Sequence, residues 1–286
     1  MIRRIALLLA FFIPGALQAQ LPLPYRFAAS GDVSMRIWVP SGTVRVETWD
    51  RDSIMVTGSM NKTSHFFGGG SGRGAKLGVE NNDPKDTRMP RGDLVVTVPR
   101  KAHVWIKMTD GDVTATHTAG ELEVITVAGS VTVQDASGVV SVETIDATVK
   151  IAGITGDVRV RGGSGKVELT EIHGALTTAT VSGNVDFSGQ VMSDARIETI
   201  GGKVMMRGNL LPSALIEIDT HNGATVLSLD PASVPLLTLS TRTGALRNFL
   251  GAGSAKAGRI NVKSFSGNIN VFTAPGIEVK KVKMPT

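Results

Sequence analysis

The chain has 286 residues, of which 33 are glycine, 19% are charged and 42% are hydrophobic, and its formal net charge is +5. This composition predicts a folded chain, and the length is sufficient for one large β domain or two ordinary domains. Because the chain contains no cysteine, a disulfide framework, a thiolate metal site, a cysteine nucleophile and a lipid-modified N-terminal cysteine are excluded.

The N-terminus has the layout of a secretory signal peptide. Arg3 and Arg4 precede an apolar run over residues 5–13, and a small-residue segment ends at Ala19. The apolar run is roughly half of the ~20 residues that are needed to cross a bilayer, which favours cleavage over anchoring. We therefore expect residues 1–19 to be removed and the chain to be exported to the periplasm, the outer surface or the medium, without a transmembrane segment.

Residues 20–101 predict an N-terminal β cap region. Residues 42–56 alternate apolar and polar side chains around a polar turn at 50–53, and another strand is stopped by Pro99. These strands would cover the first coil of the repeat that follows and shield its edge.

Within the cap region, residues 61–93 predict a mobile Gly-rich loop. This segment contains the glycine-rich run 68–74, and we expect a short strand at 77–80 to interrupt it. The glycine run lacks the Gly-Lys-Ser ending of a phosphate loop and no helix follows it, so we interpret it as a linker.

Glycine recurs at a strict nine-residue spacing in the middle of the chain, and Ala147 occupies the single vacant slot. The glycines of this frame are Gly111, Gly120, Gly129, Gly138, Gly156, Gly165, Gly174 and Gly183. The second and fourth residues after each glycine are mostly aliphatic and share one face of a strand. Each unit therefore predicts one strand and one corner, with glycine where a Cβ would be unfavourable.

Two units make one coil, and coils stack through parallel strands ~4.8 Å apart. The fold class predicted is all-β: a parallel β-solenoid over residues 102–272 with two strands and about 18–23 residues per coil, followed by a C-terminal tail over 273–286. Residues 18 apart would stack, which places one interior column at Val131, Val149, Val167 and Val185. The handedness of the solenoid stays open.

These features resemble the putative adhesin family, a group of exported bacterial β-solenoid domains of largely unknown function. The resemblance rests on residues 42–56 with the turn Trp49-Asp50-Arg51-Asp52, on the strand ending Val98-Pro99 and on the repeated glycine-valine units, and it covers about residues 30–272. It implies a solenoid of the cell envelope or the cell surface with no established reaction. It supplies no catalytic residues.

Enzymes that act on polysaccharides also use parallel solenoids, and they need converging acids or bases. Stacking of residues 18 apart would place Lys150, Glu168 and Asp186 in one row, in which Glu168 and Asp186 are adjacent acids. The pair Lys150 and Glu168 would be worth ~0.2–1 kcal/mol as surface neighbours. Because no further reactive groups cluster there, we predict a solvated face and no catalytic residues.

The sequence predicts no metal site and no cofactor. A nine-residue glycine repeat is also typical of calcium-binding toxin repeats, but Val131, Val140 and Val167 occupy the position of the required aspartate. No two histidines stand at metal-ligand spacing, so we expect isolated turn or surface side chains at His65, His103, His117, His173 and His221.

Two other features have structural interpretations. The tripeptide Arg91-Gly92-Asp93 matches an integrin-attachment motif, but we interpret it as an exposed turn before a strand. Trp38, Trp49 and Trp105 are expected in core or cap packing, and Trp49 is the one that merits a test as a sugar-stacking residue.

Basic residues are interleaved with acids, which argues against a nucleic-acid partner.

The sequence thus favours a non-enzymatic scaffold or adhesin-like surface protein, whose partner is an unknown envelope or surface component such as a glycan. A carbohydrate-active enzyme is the first alternative, with its site on a sheet face or beneath residues 61–93. End-to-end self-assembly is the second, since the last coil near residues 269–272 would leave an edge for a homo-oligomer unless residues 273–286 cover it.

Overall fold

The computed structural model describes residues 22–189, 194–251 and 253–274. The predicted signal peptide and residues 275–286 of the predicted tail lie outside this part of the chain. The described residues are all-β, and they include no helix with the length and hydropathy that crossing a bilayer requires.

Short alternating segments form 22 strands in the described residues. The strands are β1 (Tyr25–Ala28), β2 (Ser34–Trp38), β3 (Ser41–Trp49), β4 (Ser53–Met60), β5 (Ser64–Ser71), β6 (Gly74–Asn81), β7 (Arg91–Pro99), β8 (His103–Lys107), β9 (Asp110–Thr116), β10 (Glu121–Gln134), β11 (Ser137–Gly162), β12 (Val167–His173), β13 (Leu176–Thr180), β14 (Val185–Ser188), β15 (Ala195–Thr199), β16 (Val204–Arg207), β17 (Leu215–Thr220), β18 (Thr225–Leu229), β19 (Pro235–Thr241), β20 (Leu246–Asn248), β21 (Ser254–Ser264) and β22 (Ile269–Thr273).

The strands form two facing sheets, and the long strands β10 and β11 run through both. Sheet A has the order β5, β6, β2, β8, β10, β11, β13, β15, β17, β21 and β19. Sheet B has the order β1, β4, β7, β3, β9, β10, β11, β12, β14, β16, β18, β22 and β20. Successive coils pair in parallel, which confirms the predicted parallel β-solenoid.

Alternating residues of both sheets fill one hydrophobic core. Val131, Val149, Val167 and Val185 pair in register and are fully buried, so the predicted interior column is confirmed. Burying one such side chain contributes about 1.5–3 kcal/mol. The core is therefore built from many repeated rungs, each of which depends on the coil above and the coil below.

Glycine lines one corner of the stack for a steric reason. Gly129 has a φ of 104°, and a Cβ there would collide with the carbonyl oxygen of Gly111 on the preceding coil. A Cβ on Gly165 or Gly183 would meet the backbone of the preceding coil in the same way. Ala147 is the one residue of this frame with a side chain, and it has no positive φ.

At the N-terminal end, the order of coils in the stack differs from their order in the chain. β2 pairs with both β6 and β8, and β3 pairs with both β7 and β9. The coil β2–β3 therefore lies between β6–β7 and β8–β9, and the two-sheet stack begins before residue 102. The antiparallel strands β1, β4 and β5 form the cap.

The predicted Gly-rich loop over residues 61–93 is wrong, because most of this segment forms the hairpin β5–β6 and the start of β7. The hairpin is anchored by Phe66, Leu77 and Val79, which are buried in the core. The ring of Phe67 packs over Gly78 of the facing strand. Because these apolar side chains are buried, a glycine-rich segment that resembles a linker forms the strands β5 and β6.

The C-terminal end shows a second exchange of order. β21 lies between β17 and β19, and β22 lies between β18 and β20. The prediction of an edge near residues 269–272 is wrong, because β22 is paired on both sides. Assembly through the solenoid ends stays a prediction. Among the described strands, β19 and β20 are the ones at this end that leave an unpaired edge. Leu237 and Leu239 of β19 are only partly buried.

Candidate ligand-binding groove

An open groove crosses the outer face of sheet A near the N-terminal end of the solenoid. It consists of three adjoining depressions of about 370, 500 and 560 Å³, and Arg36 lines all three. Strands β5, β6, β2, β8 and β10 supply the lining residues. The groove therefore depends on the exchange of coil order that places β6 beside β2.

Side chains of neighbouring strands form three rows across the groove. The first row contains Phe67, Gly78, Trp38 and Lys107. The second row contains Gly69, Lys76, Arg36, Trp105 and Glu123. The third row contains Ser71, Gly74, Ser34, His103 and Glu121. Aromatic rings and basic side chains thus border a floor of glycine and serine.

Two of the three tryptophans lie on the outer face, so their expected place in core or cap packing is wrong. Trp38 is 50% exposed, and Trp105 is partly exposed beside it. Neither indole N–H donates a hydrogen bond to a described residue. Trp49 differs, because its Nε1–H donates to the carbonyl oxygen of Ser53 at 2.7 Å and two arginines cover its ring. Trp38 and Trp105, not Trp49, are available to a ligand.

Charged groups in the groove are available as well. Arg36, Lys76 and Lys107 are exposed, and within the described ranges they form no ion pair or side-chain hydrogen bond. Glu80 and Glu123 also have no side-chain partner in that part of the chain. The groove therefore offers both donors and acceptors that the fold itself does not use.

The histidines occupy separate places. His103 joins the groove, where its Nδ1 lies 3.3 Å from Oε2 of Glu121. His221 stacks on Phe265 with ring centroids 4.8 Å apart, and His117 takes a φ of 57° at a corner. No group of three or more His, Cys, Asp or Glu side chains in residues 22–189, 194–251 and 253–274 could hold a metal ion.

The Arg91-Gly92-Asp93 tripeptide lies in strand β7, so its predicted position in an exposed turn is wrong. Its residues pair in parallel with residues 41–43 of β3. Oδ1 of Asp93 also accepts a hydrogen bond from Oγ1 of Thr43 at 3.0 Å. The tripeptide is a regular part of sheet B.

The two acids of the enzyme hypothesis are neighbours on the outer face of sheet B. Glu168 and Asp186 pair in register, and Nζ of Lys150 lies 3.5 Å from Glu168, as predicted. Lys166, which the sequence did not indicate, lies 2.6 Å from Glu168 and 2.8 Å from Asp186. Its hydrogen bond lowers the pKa of Glu168. A general acid needs a raised pKa, so this network favours a solvated ionic face.

We expect Lys166→Met to lower the thermal unfolding midpoint by a few degrees at most at pH 7, because surface ion pairs contribute little. The pKa of Glu168 is lowered from its usual value of 4.5 in the folded state, so this stabilisation is present above that pH. It is lost as the pH falls through the lower folded value. Unfolding midpoints between pH 7 and pH 3 measure the effect.

The matched control for this prediction is Lys203→Met, which removes an exposed lysine just before β16 whose ammonium group has no partner among the described residues. Its midpoint should follow that of the wild type at every pH. A difference between Lys166→Met and the wild type that persists undiminished at the acidic end would contradict the assigned role of Glu168.

One sequence signal could have indicated the exposed tryptophan. In β2, the apolar residues Met35 and Ile37 alternate with Ser34, Arg36 and Trp38 and are fully buried. Since alternate residues face opposite sides of a strand, an inward Met35 and Ile37 place Trp38 outside. No comparable local pattern in the sequence predicts the pairing of β2 with β6.

The fold and the groove define the protein as a two-sheet β-solenoid with a candidate binding face. The chain belongs to the Toastrack DUF4097 family, whose sequence model matches residues 33–272. This confirms the resemblance to the putative adhesin family. No curated protein matches the chain significantly. A solved structure, described as a putative cell adhesion protein from Clostridium sporogenes, is 10% identical, with a TM-score of 0.25 over 89% of this chain and 100% of its own.

Proposed function

We propose that the protein is an exported, non-enzymatic scaffold of the bacterial cell envelope that attaches to an envelope or surface component through the groove on sheet A. The signal peptide predicted over residues 1–19 supports export. The stacked coils support a scaffold role, because a continuous core holds an extended face in a rigid form. The lowered pKa of Glu168 supports a non-catalytic role for the acids on sheet B.

The observation that carries this proposal is the exposed ring of Trp38 beside the unpaired guanidinium of Arg36. An exposed aromatic ring leaves apolar area in water, and tryptophan and arginine dominate the energetics of binding surfaces. The fold does not need either group, since both lie on the outer face of β2 while Met35 and Ile37 supply its core contacts.

Binding of the full chain to isolated bacterial envelopes tests the proposal. We expect saturable binding by the wild type and about tenfold weaker binding by Trp38→Ala. Arg45→Gln is the matched control, because Arg45 lies outward on β3, the sheet B strand of the same coil. A deletion of residues 61–93 would not test the groove separately from the fold, because it removes β5, β6 and the start of β7. Absence of binding, or equal binding by wild type and Trp38→Ala, contradicts the proposal.

A further inference from the structure

We propose that the component bound in the groove is an acidic saccharide, whose sugar rings pack on Trp38 and Trp105 while a carboxylate binds Arg36 and Lys76. This inference rests on the proposed function, because it names the chemistry of the component that the same groove would hold. Four features of the groove lead to it.

The first feature is the floor of the groove, which consists of small residues although the fold does not require them. Gly74 lies on the outer face, and a Cβ there would have no atom within 4 Å. Its φ is not in the left-handed region either, so neither packing nor backbone conformation requires glycine. Ser34 and Ser71 continue this row of small residues across β2 and β5. A ligand can therefore lie close to the backbone of the sheet.

The second feature is a set of unused donors beside this floor. Arg36 stands in register between Lys76 and Trp105. A guanidinium binds a carboxylate through two parallel hydrogen bonds, and a neighbouring ammonium adds a second positive charge. The indole N–H groups of Trp38 and Trp105 have no acceptor among the described residues. These donors match a carboxylate flanked by ring and hydroxyl oxygens.

The third feature is the aromatic lining and its length. Trp38 and Trp105 expose ring area on which the apolar C–H face of a sugar ring can pack, which removes apolar surface from water. The groove extends over five strands, from β5 to β10. At a strand spacing of ~4.8 Å this is about 19 Å, which suits an oligosaccharide better than a single sugar.

The fourth feature is the set of carboxylates in the groove. Glu80, Glu121 and Glu123 face the same groove as the basic side chains. Carboxylates accept hydrogen bonds from hydroxyl groups, which each sugar of an oligosaccharide carries and which the nucleotides within a DNA strand lack. Nucleic-acid bases also stack on aromatic side chains. The carboxylates therefore favour a ligand rich in hydroxyl groups, such as a saccharide, over a nucleic acid.

Isothermal titration of the full chain with three probes tests this inference: a galacturonate hexamer, a neutral galactose hexamer and a single-stranded DNA oligomer. We expect the galacturonate hexamer to bind about tenfold more tightly than either other probe. Trp38→Ala, Arg36→Gln and Gly74→Gln should each weaken its binding about tenfold or more. Gly74→Gln tests the floor, because it adds a side chain there and removes no donor.

Gly74→Ala and Arg45→Gln are the controls, and their Kd should stay within about twofold of the wild type. Each variant's thermal unfolding midpoint shows that it is folded. Absence of galacturonate binding overturns the inference, as does binding of galactose or DNA that is equally tight or tighter. A galacturonate Kd that the three groove variants leave unchanged also overturns it. If envelopes bind in a Trp38-dependent manner while galacturonate does not, the inference fails and the proposed function stands.

Discussion

A chain that ends at residue 253 is expected to lose two coils, whereas a chain that lacks only residues 231–253 is expected to lose one. Among the described strands, β19 pairs only with β21, and β20 pairs only with β22. Truncation at residue 253 removes β21 and β22, so the end coil β19–β20 loses its contact with the rest of the stack.

The internal deletion is compatible with the geometry of the coil. It joins Asp230 to Ser254, which leaves residue 230 and residues 254–258 to connect β18 to the part of β21 that pairs with β17. The connection from β16 to β17 is of similar length, over residues 208–214. The coil β21–β22 would then follow β17–β18 directly, as it already does in the stack.

Urea unfolding measures this difference. Because the stability of a solenoid is close to a sum over coils and their interfaces, the truncated chain should show the larger loss of midpoint and the larger loss of m-value. A chain that ends at residue 274 keeps every described strand and isolates the contribution of residues 275–286. Equal stability of the truncated and the internally deleted chains would show that the exchange of coil order is wrong.

The second large effect is expected for a glycine at a corner. Gly129→Ala should destabilise the protein by about 3 kcal/mol or more, because the new Cβ collides with the backbone of Gly111 and because alanine disfavours a φ of 104°. Backbone atoms of the preceding coil cannot move aside without disturbing the ladder. Urea or thermal unfolding measures the loss.

Gly74→Ala is the matched control for Gly129→Ala, since it makes the same substitution where a Cβ meets nothing within 4 Å. We expect a change between zero and a gain of about 1 kcal/mol, from the reduced freedom of the unfolded chain. If both substitutions had similar effects, the glycine period would reflect composition and not the close approach of the coils.

The repeating middle of the protein could be predicted from the sequence because its physics is local and periodic. Each nine-residue unit contains its own pair of inward residues and its own corner. Once two sheets share a core, residues 18 apart in the chain stack on each other. Lys150 and Glu168 were placed together on this basis, and the structure puts their side chains 3.5 Å apart. Lys166 was not indicated, because its contact with both acids depends on how its side chain reaches along the row.

A second set of corners was not visible in the sequence. His117, Asp135 and Glu171 take positive φ values of 57°, 51° and 51° at the same place in successive coils, and Gly153 takes 68° between them. Three of these four positions lack the glycine that usually indicates such a conformation. The corner geometry of the stack imposes the strained backbone there, so residue type alone does not reveal it.

The order of the coils and the groove were also decided by the tertiary structure. Every coil presents similar aliphatic rungs, so no local pattern states that β6 pairs with β2 or that β21 lies between β17 and β19. At the N-terminal end the observed order buries Phe66 and Leu77 and covers Gly78 with Phe67. These contacts convert an apparent linker into the wall of a groove.

The amino-acid sequence by itself therefore determined the all-β class, the two-sheet coil and the interior columns of this protein. The reason is that the period of two along each strand and the period of nine between corners both involve residues that are close in the chain. Only the tertiary structure decided which coil lies beside which, and hence which outward side chains meet. Arg36 and Trp38 of β2 meet Lys76 of β6, a strand that is distant in the chain, and this proximity follows from the pairing of β2 with β6.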